Sequence, residues 1–338
     1  MRSNALVVDQ PTHRIHDGSR ELDDVPEPGR VVVKVWYCGL CHTDLHEIDN
    51  DWSQDGSFYP FIPGHEVIGE VVAIGAKVTT AQAGDVVGIG WQSNCCGQCY
   101  ACGHGWRNLC RAPEATYAHQ NGGFQQYVTC HEAFAIPIPG ELQKPETAPL
   151  LCGGITVFNP LLEHDVATTD NALVIGMGGL GHLALQFLAQ RGNNVAMLTR
   201  SPSKLADAQL MGATGFYQSL AQVPPQEFEF IMLTAPANFD LSEILAKLTP
   251  HGTVCIVGAV PDKLSFSALE LWESEPTICG GGIGDPKNIA LMLDFAANHG
   301  VEAKTELYAP EQAQDAIQRL RDGAVRYRAV VDFRSVRH

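Results

Sequence analysis

The sequence predicts an α/β protein with two domains, in which a β-rich, barrel-like part is followed by a doubly wound parallel sheet. At 338 residues the chain exceeds the size of one ordinary hydrophobic core. Its first part consists of short β-like runs separated by glycine and proline, whereas from about residue 154 strands alternate with helices. That alternation is typical of βαβ units on a parallel sheet.

Branched and aromatic runs locate the strands, and apolar periodicity locates the helices. The strand-like runs of the first part are 31–38, 67–74 and 85–91. In the second part we expect strands at 172–175, 195–198, 230–233, 252–257 and 277–279, with helices at 180–190, 204–211 and 241–248. After Gly284 we expect helices at 288–298 and 312–321 and a strand at 329–332.

The charge balance disfavours two classes of partner. With 22 basic and 38 acidic residues the net charge is −16, which repels nucleic-acid backbones. The longest apolar stretch, Ala172 to Ala189, is interrupted by His182, Gln186 and four glycines, whereas a membrane span needs a cleaner run of about 20 residues. The first residues contain no apolar secretion signal. We therefore expect a soluble, cytoplasmic protein that binds neither nucleic acid nor membranes.

Four of the eleven cysteines form a cluster with the spacing C-x2-C-x2-C-x7-C, namely Cys96, Cys99, Cys102 and Cys110. Zn²⁺ in a structural site prefers a closed tetrahedral set of sulfur ligands. The alternative is a pair of disulfides, but a reducing cytosol favours metal binding by clustered thiols. The cluster predicts a structural zinc site.

The remaining cysteines are scattered. Cys38, Cys130, Cys255 and Cys279 lie in apolar or strand-like runs and Cys95 adjoins the cluster, so we interpret these five as inert packing residues. Cys41 and Cys152 remain to be explained. Cys41 lies in the β-rich part, as do His65 and Glu66, and Cys152 lies at the far boundary of that part. A Cys₂His set with one open position is a catalytic zinc arrangement, but spacing alone leaves the packing interpretation open.

A glycine-rich turn follows the predicted strand 172–175 and opens the next helix. Its G-x-G-x-x-G pattern consists of Gly176, Gly178, Gly179 and Gly181, with Leu180 between the last two. Such a turn lets backbone N–H groups approach a pyrophosphate at a helix N-terminus. The alternative is a plain turn in a nucleotide-free domain.

The next strand does not end in the acidic residue that reads the ribose 2′-hydroxyl of NAD. It ends instead in Thr199, Arg200, Ser201 and Lys204, which offer hydroxyls and cations. Arginine suits a phosphate because its guanidinium presents a planar donor fork. The turn therefore favours NADP(H) over NAD(H).

In combination, these motifs resemble those of zinc-dependent medium-chain alcohol dehydrogenases. The resemblance is carried by G-H-E-x2-G-x5-G-x2-V from Gly64, the four-cysteine cluster, L-C-G-G-I-T around Cys152 and the glycine turn. Four further motifs are similar to those of the cinnamyl-alcohol-dehydrogenase-like aldehyde reductases. They are C-H-T-D-L-H from Cys41, Y-P-F-I-P-G-H-E from Tyr59, G-G-I-G from Gly281 and Y-R-A-V-V-D from Tyr327.

The resemblance implies a GroES-like catalytic domain at 1–153, a Rossmann domain at 154–284 and a return to the catalytic domain at 285–338. It implies a catalytic zinc held by Cys41, His65 and Cys152, with Glu66 behind the metal, and thus two zinc ions per chain. Asp44 would hold a ligand histidine in its metal-binding tautomer. Thr43 would pass a proton through the nicotinamide ribose to His46.

By the same resemblance other residues contact the ligands. Trp52, Phe58 and Trp91 would form an apolar substrate pocket, although core packing explains these aromatics equally well. The cofactor would be lined by Thr156, Thr234, Gly258, Gly282, Ile283 and Arg328.

The implied function is an NADPH-preferring aldehyde reductase that interconverts primary alcohols and aldehydes, with a homodimer as the expected assembly. One alternative is a polyol dehydrogenase of the same superfamily, in which a carboxylate tends to replace the third zinc ligand. Another is a catalytically silent cofactor-binding protein. Three departures from the family pattern are Cys95 beside the cluster, Gly282 in place of a bulkier residue, and Arg200 in place of a hydroxyl.

Overall fold

The computed structural model of the chain describes residues 1–11, 14–52, 59–260 and 262–334. Strands occur throughout these ranges. They are β1 (Arg2–Val7), β2 (His16–Glu21), β3 (Arg30–Leu40), β4 (Glu66–Ile74), β5 (Val86–Ile89), β6 (Gln92–Asn94), β7 (Glu114–Ala115), β8 (Tyr127–His131), β9 (Ile136–Pro137), β10 (Asn171–Ile175), β11 (Asn194–Leu198), β12 (Gly215–Tyr217), β13 (Phe228–Leu233), β14 (Leu248–Ile256), β15 (Thr277–Gly280), β16 (Thr305–Tyr308) and β17 (Arg328–Asp332).

The helices lie mostly in the second half of the chain. They are α1 (His42–Asp49), α2 (Tyr100–Gly103), α3 (Gly153–Glu163), α4 (Gly181–Arg191), α5 (Leu205–Leu210), α6 (Leu241–Leu245), α7 (Ala268–Ser274), α8 (Pro286–His299) and α9 (Ala313–Arg321). A 3₁₀ segment, Pro145–Leu151, precedes α3. No helix in the described ranges is both long and apolar enough to cross a membrane.

The chain forms two compact units. The first comprises Met1–Cys152, Ile283–Ala297 and Glu302–His338, and the second comprises Gly153–Gly282 and Asn298–Val301. The first unit is built on a mostly antiparallel sheet and the second on a parallel one, so the predicted fold class is confirmed.

The first unit is organised around β3. The strand order is β16-β17-β3-β4-β5-β9, and β8 also pairs with β3. Val31, Val33 and Val35 of β3 are buried in one apolar core with Phe61 and Phe124. Alternate residues of a strand share a face, so this spacing directs one face of β3 into the core.

The register of three neighbouring strands sets the position of one group of polar residues. Gly39 at the end of β3 pairs with Glu66 at the start of β4, and Leu40 pairs with Ala329 of β17. Cys41 follows directly after β3. Glu66, Arg328 and Cys41, which are far apart in sequence, therefore meet at one edge of the sheet.

The second unit is a six-stranded parallel sheet in the order β12-β11-β10-β13-β14-β15. Counted in chain order within the unit this is 3-2-1-4-5-6, the order of dinucleotide-binding sheets. The strands β10, β13 and β14 end at residues 175, 233 and 256. Gly176, Thr234 and Gly258 therefore follow neighbouring strands at the same carboxyl edge, where such sheets bind ligands.

One predicted helix is shorter than expected. The helix predicted at 241–248 ends at Leu245, because Leu248 begins β14 and pairs with Phe228 of β13. The apolar residues Leu241, Ile244, Leu245 and Leu248 are all buried, so hydrophobic periodicity did not separate the helix end from the strand start.

Candidate metal and dinucleotide sites

The first unit brings four predicted metal ligands together. Cys41, His65, Glu66 and Cys152 each offer one donor atom, and these atoms lie within 4.8 Å of one another. His65 and Glu66 are fully buried and Cys152 is buried at 8% exposure. Cys41 stands at the N-cap of α1, and Cys152 ends the 3₁₀ segment.

Asp44 connects three parts of this cluster. One carboxylate oxygen, Oδ2, accepts a hydrogen bond from the backbone N–H of Cys41 at 2.9 Å. The other, Oδ1, accepts from the Gly64 N–H at 2.8 Å and from Nδ1 of His65 at 3.0 Å. Since Nδ1 is the donor to this carboxylate, Nε2 is left as the lone-pair nitrogen, which is the tautomer that a metal requires.

The unpartnered atoms of the cluster fit a metal ion. Among the described residues, Nε2 of His65 and Oε2 of Glu66 are buried without a hydrogen-bond partner. Buried polar atoms are normally paired, so each such atom calls for an explanation. Two thiols, an imidazole and a carboxylate whose donor atoms lie within 4.8 Å of one another match the donor types that Zn²⁺ prefers.

The charges around the cluster favour a thiolate. A hydrogen bond from Cys152 and the positive charge of Arg328 hold the pKa of Cys41 well below its usual value, despite burial. The Arg328 guanidinium pairs with Glu66. Burial nevertheless raises the pKa of Glu66 to about 7, against the attraction of Arg328. Sequence analysis assigned Arg328 to the cofactor; its contact in the structure is with Glu66, and a role toward the cofactor stays a prediction.

The predicted proton-relay residues lie on α1. Thr43 Oγ1 is 3.8 Å from Cys41 Sγ, which places this hydroxyl beside the cluster. His46, one helical turn later, shares that face of α1 because residues three apart are neighbours on a helix. Its Nδ1 bonds to Asp51 Oδ2 at 2.8 Å, and its ring stacks on Trp52 with centroids 4.5 Å apart.

The predicted pocket aromatics are placed differently from one another. Trp52 is 46% exposed and covers His46. Trp91 packs against the core of the first unit, and its Nε1–H donates to the Tyr117 hydroxyl at 3.2 Å. This contact favours the core-packing interpretation for Trp91. Phe58 lies outside the described residues.

Sequence reasoning did not identify Tyr117, which lies beside His65, or its hydrogen-bond partner Glu47. The Tyr117 ring stands edge-on to the His65 ring at 6.3 Å, and its hydroxyl donates to Glu47 Oε1 at 2.7 Å. Burial and the Glu47 charge raise the pKa of Tyr117, which keeps this phenol protonated. Neither residue belongs to a recognisable motif, so no sequence signal indicates them.

The four-cysteine cluster is the second group that could hold a metal. The thiols of Cys96, Cys99, Cys102 and Cys110 lie within 4.8 Å of one another in the loop between β6 and β7. The Cys110 sulfur is 3.5 Å from that of Cys96 and 3.9 Å from that of Cys99. A tetrahedral site with Zn–S bonds of about 2.3 Å places sulfurs about 3.8 Å apart, whereas a disulfide needs about 2 Å. The spacing fits zinc, and none of the eleven cysteines is in a disulfide.

The glycine turn connects β10 to α4 in the second unit. Gly176 has a φ of +106°, a conformation that favours glycine. A Cβ on Gly181 would meet the Gly176 carbonyl oxygen at 1.7 Å, so Gly181 is required by packing within the turn. A Cβ on Gly178 would meet nothing within 4 Å. Gly178 therefore borders open space, as expected where a pyrophosphate approaches the backbone.

The turn after β11 contacts the glycine turn through one side chain. Lys204 Nζ donates to the Met177 carbonyl at 2.7 Å, so this cation lies at the glycine turn. Thr199 is buried and its Oγ1 accepts from the Ser201 N–H at 3.3 Å. Arg200 is exposed. The structure thus places two cations and two hydroxyls in the turn where an NAD-type site has an acid.

The other predicted cofactor residues have different surroundings. Thr234 is buried and its hydroxyl lies 3.0 Å from the Ile175 carbonyl and 2.9 Å from that of Gly176, so it braces the glycine turn. Thr156 is buried in α3. A Cβ on Gly258 would meet backbone oxygens at 2.8 Å and 2.9 Å, whereas one on Gly282 would meet nothing within 4 Å. Ile283 belongs to the first unit, where its carbonyl accepts from Asn108.

Known proteins share this combination of fold and motifs. Residues 27–140 match the family model of the alcohol dehydrogenase GroES-like domain, and residues 179–298 match that of the zinc-binding dehydrogenases. The chain is 36% identical to aldehyde reductase AdhA of Synechocystis sp. over 308 residues, which cover 89% of this chain and 90% of that protein. The chain belongs to the alcohol dehydrogenase family of zinc-binding dehydrogenases.

Solved structures place it more closely within the alcohol dehydrogenases. A cinnamyl alcohol dehydrogenase of Sorghum bicolor superposes with a TM-score of 0.93 at 32% identity, covering 100% of this chain and 99% of that one. The Helicobacter pylori enzyme of the same name, solved with NADP(H), has a TM-score of 0.90 at 29% identity with the same coverage. The resemblance to cinnamyl-alcohol-dehydrogenase-like aldehyde reductases is confirmed, and the GroES-like and Rossmann folds with it.

We expect the purified protein to hold two zinc ions per chain. Cys152→Ala should leave about one ion, because it removes a ligand from the buried cluster only. Cys102→Ala should also leave about one, with a lower melting temperature because it opens the loop cluster. Elemental analysis after dialysis measures the content. Cys130→Ala, a buried thiol outside both groups, serves as control and should retain two ions. Two ions in Cys152→Ala would contradict the assignment.

Substitution of Gly178 should separate folding from dinucleotide binding. A side chain has room there, so Gly178→Val should keep the melting temperature within a few degrees while blocking the approach of a pyrophosphate. We expect the affinity for the dinucleotide to fall by at least about tenfold, which corresponds to about 1.4 kcal/mol. Fluorescence titration with NADPH measures it. Wild-type affinity in Gly178→Val would show that the cofactor does not approach this residue.

Proposed function

We propose that this chain is a zinc-dependent, NADPH-preferring alcohol dehydrogenase that acts mainly as an aldehyde reductase on aliphatic and aromatic aldehydes. The observation that carries the proposal is the buried donor set of Cys41, His65 and Cys152, with the His65 tautomer fixed by Asp44 and a hydroxyl of Thr43 alongside. Three protein ligands with one open position are typical of catalytic rather than structural zinc.

The residues of the chain prepare the site for hydride transfer. Bound zinc supplies a Lewis acid that stabilises negative charge on the substrate oxygen, and the nicotinamide supplies or accepts the hydride. Asp44 orients His65 and the N-terminus of α1. Glu66, paired with Arg328, offers its free oxygen Oε2 to the metal set. With zinc bound, the Glu66 carboxylate would be available as a fourth protein ligand.

Thr43 and His46 provide the protons in this proposal. Reduction of an aldehyde leaves an alkoxide that needs one proton, and the Thr43 hydroxyl beside Cys41 donates it. His46 restores the proton from solvent. Asp51 holds Nδ1 of the His46 ring, which leaves Nε2 to exchange protons.

The turn from Thr199 to Lys204 supports the preference for NADPH. A 2′-phosphate there would find the exposed Arg200 guanidinium and the hydroxyls of Thr199 and Ser201, with the Lys204 ammonium already at the glycine turn. The relative from Helicobacter pylori was solved with NADP(H), whereas an acetophenone reductase from Geotrichum candidum, at 25% identity, was solved with NAD. We further propose a cytoplasmic location, because thiols clustered as zinc ligands suit a reducing compartment.

Turnover of a panel of aldehydes by zinc-replete protein tests the function. We expect NADPH oxidation with aliphatic and aromatic aldehydes. In the reverse direction, with alcohols as substrates, we expect little turnover of polyols. Thr43→Val should lower kcat by about 10²-fold or more, because it removes the proton donor. Thr43→Ser is the matched control and should keep most of the activity. Zinc content and NADPH affinity should stay unchanged in both. If the wild type shows no turnover, the remaining interpretation is a catalytically silent cofactor-binding protein.

Exchange of the cofactor tests the phosphate-reading turn. The ratio of kcat/KM for NADPH to that for NADH should exceed one in the wild type. Arg200→Ala should reduce that ratio by about tenfold, as expected for loss of one hydrogen-bonded charge interaction of roughly 1.5 kcal/mol. The decrease should come from KM for NADPH, with NADH kinetics unaffected. Lys247→Ala, a cation elsewhere in the second unit, is the control. Equal efficiency with both cofactors would refute this account of the turn.

A further inference from the structure

Two cysteines outside both metal groups lie side by side in the parallel sheet of the second unit. Cys255 of β14 and Cys279 of β15 are direct partners in the register of the two strands. Residues paired in this way point to the same face of the sheet. Cys255 is fully buried, whereas Cys279, on the edge strand, is half-buried. Sequence analysis treated both as inert, since no local spacing joins residues 24 positions apart in this way.

The spacing of the pair suits a disulfide. Neighbouring strands lie about 4.8 Å apart, and a disulfide requires a Cα–Cα distance of about 4.4–6.8 Å. The two thiols are close enough that each shifts the pKa of the other. The Cys279 sulfur lies a further 3.5 Å from the Val254 carbonyl oxygen, which keeps this side chain over β14.

The two thiols have different chemical characters. The neighbouring Cys255 thiol lowers the pKa of Cys279, whereas the Cys279 thiol and burial raise that of Cys255. The thiolate is the nucleophile in thiol–disulfide exchange. Cys279, which is both more accessible and more easily ionised, is therefore suited to attack, and buried Cys255 is suited to resolve the product.

The other buried thiols of the chain lack these properties. Burial raises the pKa of Cys130 to about 12 and that of Cys38 well above its usual value. The six thiols of Cys41, Cys152 and the four-cysteine cluster are metal ligands in the proposed enzyme. Among the described residues, the pair therefore combines a partner thiol, partial access and independence from both metal groups.

We propose that Cys255 and Cys279 form a reversible redox dithiol that reacts with low-molecular-weight disulfides such as glutathione disulfide, and that the resulting disulfide weakens dinucleotide binding. In the first step the Cys279 thiolate attacks the small disulfide, forms a mixed disulfide and releases one thiolate. In the second, Cys255 loses its proton, attacks the Cys279 sulfur and releases the second thiolate. Two thiols are oxidised, one disulfide is reduced, and the two protons pass to the two small thiols.

The consequence for the cofactor follows from where the two strands end. Cys255 lies three residues before Gly258, and Cys279 lies three residues before Gly282. The two strand ends are coupled, since the Gly281 N–H donates to the Ile256 carbonyl at 3.1 Å. The backbone spacing permits the bond, but the two sulfurs must approach to about 2 Å, and we expect this to change the positions of both strand ends. This step rests on the proposed function, which assigns Gly258 and Gly282 to the cofactor groove.

Disulfide mapping of the zinc-loaded protein tests the pair itself. The protein is equilibrated without oxygen in mixtures of reduced and oxidised glutathione, alkylated and analysed by peptide mass spectrometry. We expect a Cys255–Cys279 disulfide in the wild type, a mixed disulfide on Cys279 in Cys255→Ser, and no modification at either position in Cys279→Ser. Cys130→Ser is the matched control and should behave as the wild type. Melting temperatures verify that each variant folds. We expect serine to be tolerated better at half-buried Cys279 than at buried Cys255.

Binding of NADPH to the same samples tests the consequence. Oxidation should weaken the affinity by at least about fivefold, the lower end of coupling between distinct sites. Dithiothreitol should restore it, and Cys279→Ser should be insensitive to oxidation. A pair that stays reduced in oxidised glutathione overturns the proposal, and so does a disulfide with unchanged NADPH affinity. If reduced protein binds no dinucleotide, the proposed function fails instead, and the mapping still decides whether the redox pair exists.

Discussion

The buried carboxylate of Asp44 is the contact on which the candidate catalytic site depends. It is 1% exposed and accepts three hydrogen bonds, from the backbone of Cys41, the backbone of Gly64 and the ring of His65. Hydrogen bonds to a charged group contribute about 1.5–3 kcal/mol each, whereas a buried carboxylate without them is strongly unfavourable. The same bonds fix the start of α1, the loop before β4 and the histidine tautomer. Thr43 and His46 lie on that helix, so their positions also depend on Asp44.

Ten of the eleven cysteines fall into classes that their neighbours define. Four thiols in one loop are spaced as zinc ligands, and Cys41 and Cys152 join a histidine and a carboxylate in the buried cluster. Cys255 and Cys279 adjoin each other across two strands, away from both groups. Cys38 and Cys130 are fully buried, and their pKa values are raised by desolvation, which suppresses the thiolate. The chemistry available to each thiol follows from what it touches.

Two glycines of the turn between β10 and α4 have different functions. Gly181 has no room for a side chain because the Gly176 carbonyl lies against it, whereas Gly178 borders open space. The first is a requirement of helix–strand packing, and the second permits a ligand to approach the backbone. Lys204 reaches this turn from the neighbouring βα connection. The glycine turn and the turn proposed to read the phosphate are thereby linked by a direct contact.

The sequence by itself determined the features that local spacing or composition encodes. These are the four-cysteine cluster, the glycine turn, the missing acid after β11 and the change from a β-rich part to βα alternation, and the known motifs were enough to indicate the family. Only the tertiary structure decided which distant residues meet. The pairing of Glu66 with Arg328, Tyr117 beside His65 and the Cys255–Cys279 pair all depend on strand register or packing between remote segments. Sequence periodicity specifies which face of a strand is buried, but not which strand lies next to it.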